Sequence, residues 1–345
     1  MVNWVIKLSR SNWCIPIIGL TLSCFILIFG LIGWNKLSSY QIIQDESAEI
    51  FTVNPGDSVS TISKNLAKKG KISHSYLMSI YVRLRGFETS IQEGEYLLEA
   101  EITLSELVKK MVNGDKFQHR ITFLEGWSLS EVLAELRSKS SIRQEIDNSD
   151  PKHIAELLGL NVKNAEGMLF PDTYFFTRNT SDIEILRRAN AKLSKVLDSS
   201  WEAKEEGLPF SNQYEALILA SIIEKESGLN AERSKISGVF LRRIALGMRL
   251  QSDPTVIYGM GSKYKGNITR RDLSEVTAYN TYRIDGLPPT PIALAGKASI
   301  DASLNPSRSN FLYFVSRGDG SHYFSETLSE HNAAVDKYQR KPNSR

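Results

Sequence analysis

The sequence predicts an α+β chain led by one membrane-spanning helix, and three observations carry that expectation. A charge-free apolar run fills residues 11–35. From residue 50 onward, a short β-prone run, a glycine turn and a capped amphipathic helix follow one another repeatedly. A nearly all-apolar helical stretch, EALILASIIEKES at 215–227, ends in two glutamates and a serine.

The N-terminal run, SNWCIPIIGLTLSCFILIFGLIGWN, exceeds the ~20 residues needed to cross a bilayer. Trp13 and Trp34 stand near its ends, as interfacial anchors do. Lys7 and Arg10 precede it and Lys36 follows, which favours residues 1–10 as a cytoplasmic tail and the remainder outside. A cleaved signal peptide is the competing reading. Its apolar region would be ~7–15 residues with a small-residue cleavage site, and here the run is longer with no such site after it. The expectation is an uncleaved single-pass anchor in the cell inner (cytoplasmic) membrane.

The chain's 345 residues suggest about two domains. Net charge is +3 with no Lys/Arg-rich block, so nucleic-acid binding is not indicated. Both cysteines, Cys14 and Cys24, lie inside the apolar run, leaving the exported part without a disulfide or a Cys-ligated metal. The five histidines are scattered, and neither a metal nor an organic cofactor is expected.

Residues 36–49 form a polar linker, and the folded part starts near Ile50. IFTVNPGDSVSTISKNLAKKG predicts a strand, a Pro-Gly turn and a helix capped by Ser58. Thr103 and Glu106 have capping-box spacing, with Gly114 at the helix stop. Ser128 and Glu131 repeat the device within 121–137. Residues 141–165 look helical and polar. Phe170, Tyr174, Phe175 and Phe176 surround Pro171-Asp172-Thr173, a cluster more consistent with packing than with a sugar groove. Charged helices follow over 181–206 and 231–248, then a basic loop, and a strand over 310–316 leading through SRGDGSHYF into another.

In a helix turning ~100° per residue, Leu219, Ile222 and Ile223 share a side with Glu226, whereas Glu224 points away. A carboxyl against apolar neighbours is poorly solvated, which favours its neutral form. A carboxylic acid still protonated near neutral pH can act as a general acid. The plainer reading, two ordinary charges where a buried helix reaches solvent, stays open on this stretch alone.

The run PGDSVSTISKNL within residues 50–70 resembles a LysM module, a type that binds N-acetylglucosamine-containing glycans. FPDTYFF, LASIIEKES, RLQSDPTVIYGMG, TAYNTYRIDGLPPTPI and GSHYFSETLSEHN, in that order, resemble the endolytic murein transglycosylase family, MltG or YceG-like. The resemblance implies a transmembrane helix (11–35), a linker (36–49), a LysM-like subdomain (50–117), a lysozyme-like catalytic domain (118–338) and a C-terminal tail (339–345). It implies lyase chemistry on peptidoglycan, cutting between N-acetylmuramic acid and N-acetylglucosamine within nascent strands to leave 1,6-anhydro ends. Peptidoglycan synthases or the elongation or division machinery would be its partners.

Carried over residue by residue, the resemblance makes Glu226 the catalytic acid/base. Glu226-Ser227 resembles the Glu-Ser pair of soluble lytic transglycosylases, and Ala278-Tyr279-Asn280 their Ala-Tyr-Asn segment. Tyr279, Asn280, Tyr282, Gln251, Asp253 and Ser227 are candidate substrate-binding residues. Ser252 stands where Thr is expected, and Leu241-Arg242-Arg243 replaces an Asn-Arg pattern. Glu224 is expected to be structural. His322, Glu326, His331 and Asn332 are expected to pack, or as a set to close a cleft wall. Two alternatives are a hydrolytic muramidase using Glu226 as acid and Asp253, or another carboxylate, as base, and a non-catalytic glycan-binding scaffold.

Overall fold

A computed structural model describes residues 14–42 and 48–340. The expected cytoplasmic tail, the first residues of the apolar run, part of the linker and residues 341–345 of the C-terminal tail lie outside these. The described residues mix helices with three two-stranded antiparallel sheets. The chain divides into two compact units, up to Gln118 and from His119.

The first unit begins with α1 (Cys14–Ser38). Ile18–Ser38 within it is apolar and long enough to cross a membrane, and large side chains from Ile18 to Ile32 are exposed. Its last turns behave differently. Trp34 stacks on Tyr81 at 5.4 Å and, with Leu37, packs on the unit's core. There follow β1 (Glu49–Val53), α2 (Val59–Lys68), α3 (Tyr76–Arg85), β2 (Gly94–Leu98) and α4 (Leu104–Asn113). β1 and β2 pair from Glu49↔Leu98 to Val53↔Gly94. The helices start where local chemistry directs. Ser58 accepts from the Thr61 N–H, and Thr103 and Glu106 close a full capping box. Phe51, Ile62, Leu66, Met78, Tyr81, Tyr96 and Leu107 form the core.

The second unit opens with β3 (His119–Thr122) and α5 (Leu129–Ser138), whose capping box is Ser128–Glu131. Residues 141–150, expected to be helical, are not. Helix α6 is confined to Pro151–Leu158. Long-range bonds hold the preceding segment instead: the N–H groups of Glu145 and Ile146 donate to the buried Asp182 carboxylate, and Arg143 bridges to Ser181. Then come β4 (Thr173–Phe176), paired with β3, and α7 (Asp182–Glu202). Tyr174 and Phe176 enter the core whereas Phe175 is exposed, so this aromatic cluster mainly packs.

Helix α8 (Gln213–Glu226) is the axis of this unit, packed by α7, α9 (Asn230–Ala245), α10 (Asp253–Met260) and α12 (Lys297–Leu304); α11 (Arg270–Ser274) lies between the last two in sequence. Asn212 caps α8 through the Glu215 N–H. Every residue from Ala216 to Ile223 is buried, so the helix is enclosed on all sides rather than along one stripe. The buried Ser221 hydroxyl donates to the Ile218 carbonyl and accepts from the Ile292 N–H, leaving no unpaired polar atom there. A hairpin of β5 (Tyr313–Ser316) and β6 (His322–Ser325) and a final helix α13 (Leu328–Tyr338) complete the unit.

Candidate active site

Helix α8 ends at Glu226, and its carboxyl opens into a cavity of about 520 Å³. Arg243 of α9, Leu250, Gln251, Asp253, Tyr282, the β5–β6 hairpin with Tyr313, Phe314 and His322, and α13 with His331 and Asn332 surround it. That volume suits one or two small polar rings, within the usual range of ligand pockets.

The electrostatics centre on Glu226. Burial raises its carboxyl to about 7. The Ser252 hydroxyl donates to Oε1 at 2.5 Å and works in the opposite direction. The neighbouring Asp253 charge adds to the rise, and the Arg243 guanidinium offsets part of it. The Asp253 Oδ1 accepts from the Tyr282 hydroxyl at 2.6 Å. Arg243 is itself buried, with Nε and Nη1 each donating at 2.7 Å to the carbonyls of Leu312 and Leu250.

The segment presenting these groups is anchored by backbone bonds. Gln251 sits at φ +53°, a left-handed conformation that a side chain this large rarely adopts. Its N–H donates to the Thr281 carbonyl, and the next N–H, of Ser252, donates to the Thr281 hydroxyl at 2.9 Å. Thr255 joins Thr281 and the Ser252 carbonyl. This buried threonine pair holds the Ser252 backbone, and with it the hydroxyl that meets Glu226.

Of the residues expected from sequence, Glu226, Gln251, Asp253 and Tyr282 come together here. Tyr279, Asn280 and Ser227 are not brought to this cavity. The Asn280 amide donates to the carbonyls of Asp272, Leu273 and Glu275, and its Oδ1 accepts from the Tyr282 N–H. With both ends so engaged, the side chain shapes the loop that presents Tyr282; it borders a separate, smaller cavity of about 290 Å³. The Tyr279 hydroxyl pairs with Thr290, and its ring meets Tyr258 edge-on at 4.8 Å. Ser227 is buried and accepts from the Leu229 N–H, closing the turn after α8. Glu224 leaves the helix on another side. It accepts from Arg233 and from the Gly296 N–H, both at 2.9 Å.

Ser252 and Arg243 were not expected at the site, although both fall at positions where the chain departs from the family pattern. Tyr313 carried no sequence signal, because its role depends on the hairpin folding back over α9.

At the end of a buried helix, the Glu226 carboxyl thus faces a polar and aromatic cavity that the Asp253 carboxylate also lines. Residues 51–337 match the YceG-like family, and the chain belongs to that family. It is 31% identical to the endolytic murein transglycosylase of Bacillus subtilis, over 91% of each chain. It is 26% identical to the enzyme of that name from Streptococcus pneumoniae D39, over 90% of this chain and 64% of the relative. The crystal structure of a YceG-like protein from Listeria monocytogenes superposes with a TM-score of 0.52 at 30% identity, covering 84% of this chain and all of that one.

Proposed function

We propose that this chain is a membrane-anchored endolytic lytic transglycosylase that cleaves the MurNAc–GlcNAc bond within peptidoglycan strands. The Glu226 carboxyl, raised to about 7, carries the reading. Glycosidases of the hydrolytic kind use two carboxyls, whereas intramolecular attack needs one. Protonated Glu226 gives its proton to the glycosidic oxygen as the C1–O bond breaks, and GlcNAc leaves with a free C4 hydroxyl. Positive charge develops on the MurNAc ring. The sugar's own C6 oxygen then bonds to C1, and its proton passes to the Glu226 carboxylate. No water is consumed, the anhydro ring forms, and the acid is regenerated. Intramolecular attack also carries an entropic advantage over water.

Asp253 and Tyr282 would border the bound sugar, with Gln251 beside them. Exposed apolar side chains along α1 support a membrane anchor, which would place the catalytic unit outside the cytoplasm. The order β1-α2-α3-β2 with antiparallel strands supports a LysM-like reading of residues 50–117. Nascent glycan strands would be the substrate, and synthases or the elongation or division machinery its neighbours.

A hydrolytic muramidase is the second reading, because Asp253 lines the same cavity and could serve as a base. Mass spectrometry of glycan ends separates the two. Peptidoglycan digested with the detergent-solubilised full chain should gain anhydro ends, and Glu226→Gln should lower the rate by about 10³-fold. Reducing ends that disappear in Asp253→Asn would overturn the lyase reading.

A further inference from the structure

On the cavity wall formed by the β5–β6 hairpin stands a histidine with an uncommon degree of restraint. His322 lies opposite Ser316 in the hairpin register, and both line the cavity that holds Glu226. Its ring Nδ1 is 2.8 Å from Glu232 Oε2, and its backbone N–H donates to Glu232 Oε1 at 3.0 Å. Glu232 lies in the first turn of α9, ninety residues away, and both side chains are only 12% exposed. Phe314 meets the imidazole edge-on at 5.4 Å and Phe324 at 6.4 Å. Ring position and rotation are therefore both set by contacts.

The pairing also sets the tautomer. An ionised carboxylate can only accept, so Nδ1 carries the proton and donates it to Glu232. In the neutral ring Nε2 is then a pure acceptor, and among the described residues it has no protein partner. Arg242 and Arg243 of α9 also hold the segment leading into the hairpin, through the carbonyls of Phe311 and Leu312. A carboxylate-oriented imidazole with its other nitrogen left over is how proteins prepare a histidine to meet a ligand.

We infer that His322 Nε2 grips the glycan strand beside Glu226, accepting a hydrogen bond from a sugar hydroxyl or acetamido N–H, with Glu232 as the positioning residue that keeps Nε2 an acceptor. Tyr313 and Phe314 line the same wall, the Tyr313 ring stacked by His331 at 5.2 Å. This inference rests on the reading that the Glu226 cavity holds glycan.

The test measures binding of peptide-free glycan strands by calorimetry, using the full chain in detergent and a Glu226→Gln background that prevents turnover. Adding His322→Phe should weaken binding by about tenfold, the usual worth of one neutral hydrogen bond. Adding His322→Gln, whose amide oxygen reaches the Nε2 position, should restore most of it. Adding Glu232→Gln should weaken binding at least as much as His322→Phe. The new amide still accepts from the backbone N–H but donates to Nδ1, which moves the ring proton to Nε2 and turns the acceptor into a donor. Imidazole ¹⁵N shifts should record that reversal, and the variant keeps the packing should His322→Phe fail to fold. Unchanged affinity in Glu232→Gln with the tautomer reversed would overturn the inference and leave the Glu226 reading intact. No glycan binding by the Glu226→Gln background would overturn both.

Discussion

Glu226 carries a thermodynamic signature that a surface carboxylate lacks. Burial holds its carboxyl at about 7, well above the ordinary value of 4.5. The folded chain thus binds more protons than the unfolded one between those values. The associated stability is fully present below pH 4.5, declines as pH rises, and is lost above about 7. Glu226→Gln removes this dependence. Urea titrations should show its stability relative to wild type improving between pH 5 and pH 8, by up to about 3 kcal/mol. Ser252 acts on the same group with the opposite sign. Its hydroxyl stabilises the carboxylate, so Ser252→Ala should raise the Glu226 pKa further. The alkaline limb of kcat/KM should move upward by about one pH unit. A limb that stays in place would mean that Glu226 is not the titrating acid.

Helix α8 holds Glu224 and Glu226 in opposite circumstances, because α9 meets one and the cavity meets the other. Glu224 and Arg233 form a pair whose side chains are 5% and 6% exposed. Arg233 Nε is buried without a hydrogen-bond partner, so this guanidinium already depends heavily on Glu224. Glu224→Ala would leave the buried Arg233 cation only the half-exposed Glu125 carboxylate, 3.9 Å away, and should destabilise the second unit by about 3 kcal/mol. Denaturant unfolding checks this. A Glu224→Ala enzyme of normal stability would show that the pair contributes little, whereas loss of turnover without loss of stability would give Glu224 a chemical role. The terminal hairpin depends on α9 in a similar way. Arg242 donates to the carbonyls of Ser307 and Phe311, and Arg243 to that of Leu312. One helix thus carries both the Arg243 charge near Glu226 and the wall that bears His322.

Across the whole chain, α1 has two jobs with a boundary near Trp34. From Ile18 to Ile32 the large apolar side chains are exposed; Trp34 and Leu37 pack on the first unit, where Arg85 also lies over the Trp34 ring at 5.9 Å. A chain starting at residue 34 should leave the membrane fraction yet keep the stability of this unit. One starting at residue 39 should lose about 1–2 kcal/mol through the missing Trp34–Tyr81 stack. Sedimentation of membranes and thermal melts of the two truncations would show whether the boundary lies there.

The sequence alone settles features that depend on a few neighbouring residues: the apolar run, the helix caps at Ser58, Thr103 and Ser128, and the placement of Glu226 at the end of an apolar helix. Each follows from spacing along one turn or one strand. Tertiary structure alone decided what surrounds that carboxyl. Asn280 is drawn into its own loop, residues 141–150 are pulled from helix by the Asp182 carboxylate, and His322 meets Glu232 across ninety residues of chain. Helical and strand periodicity reports which way a side chain faces from its own backbone. It carries no information about which distant element arrives to bury it, pair with its charge or close the cavity over it.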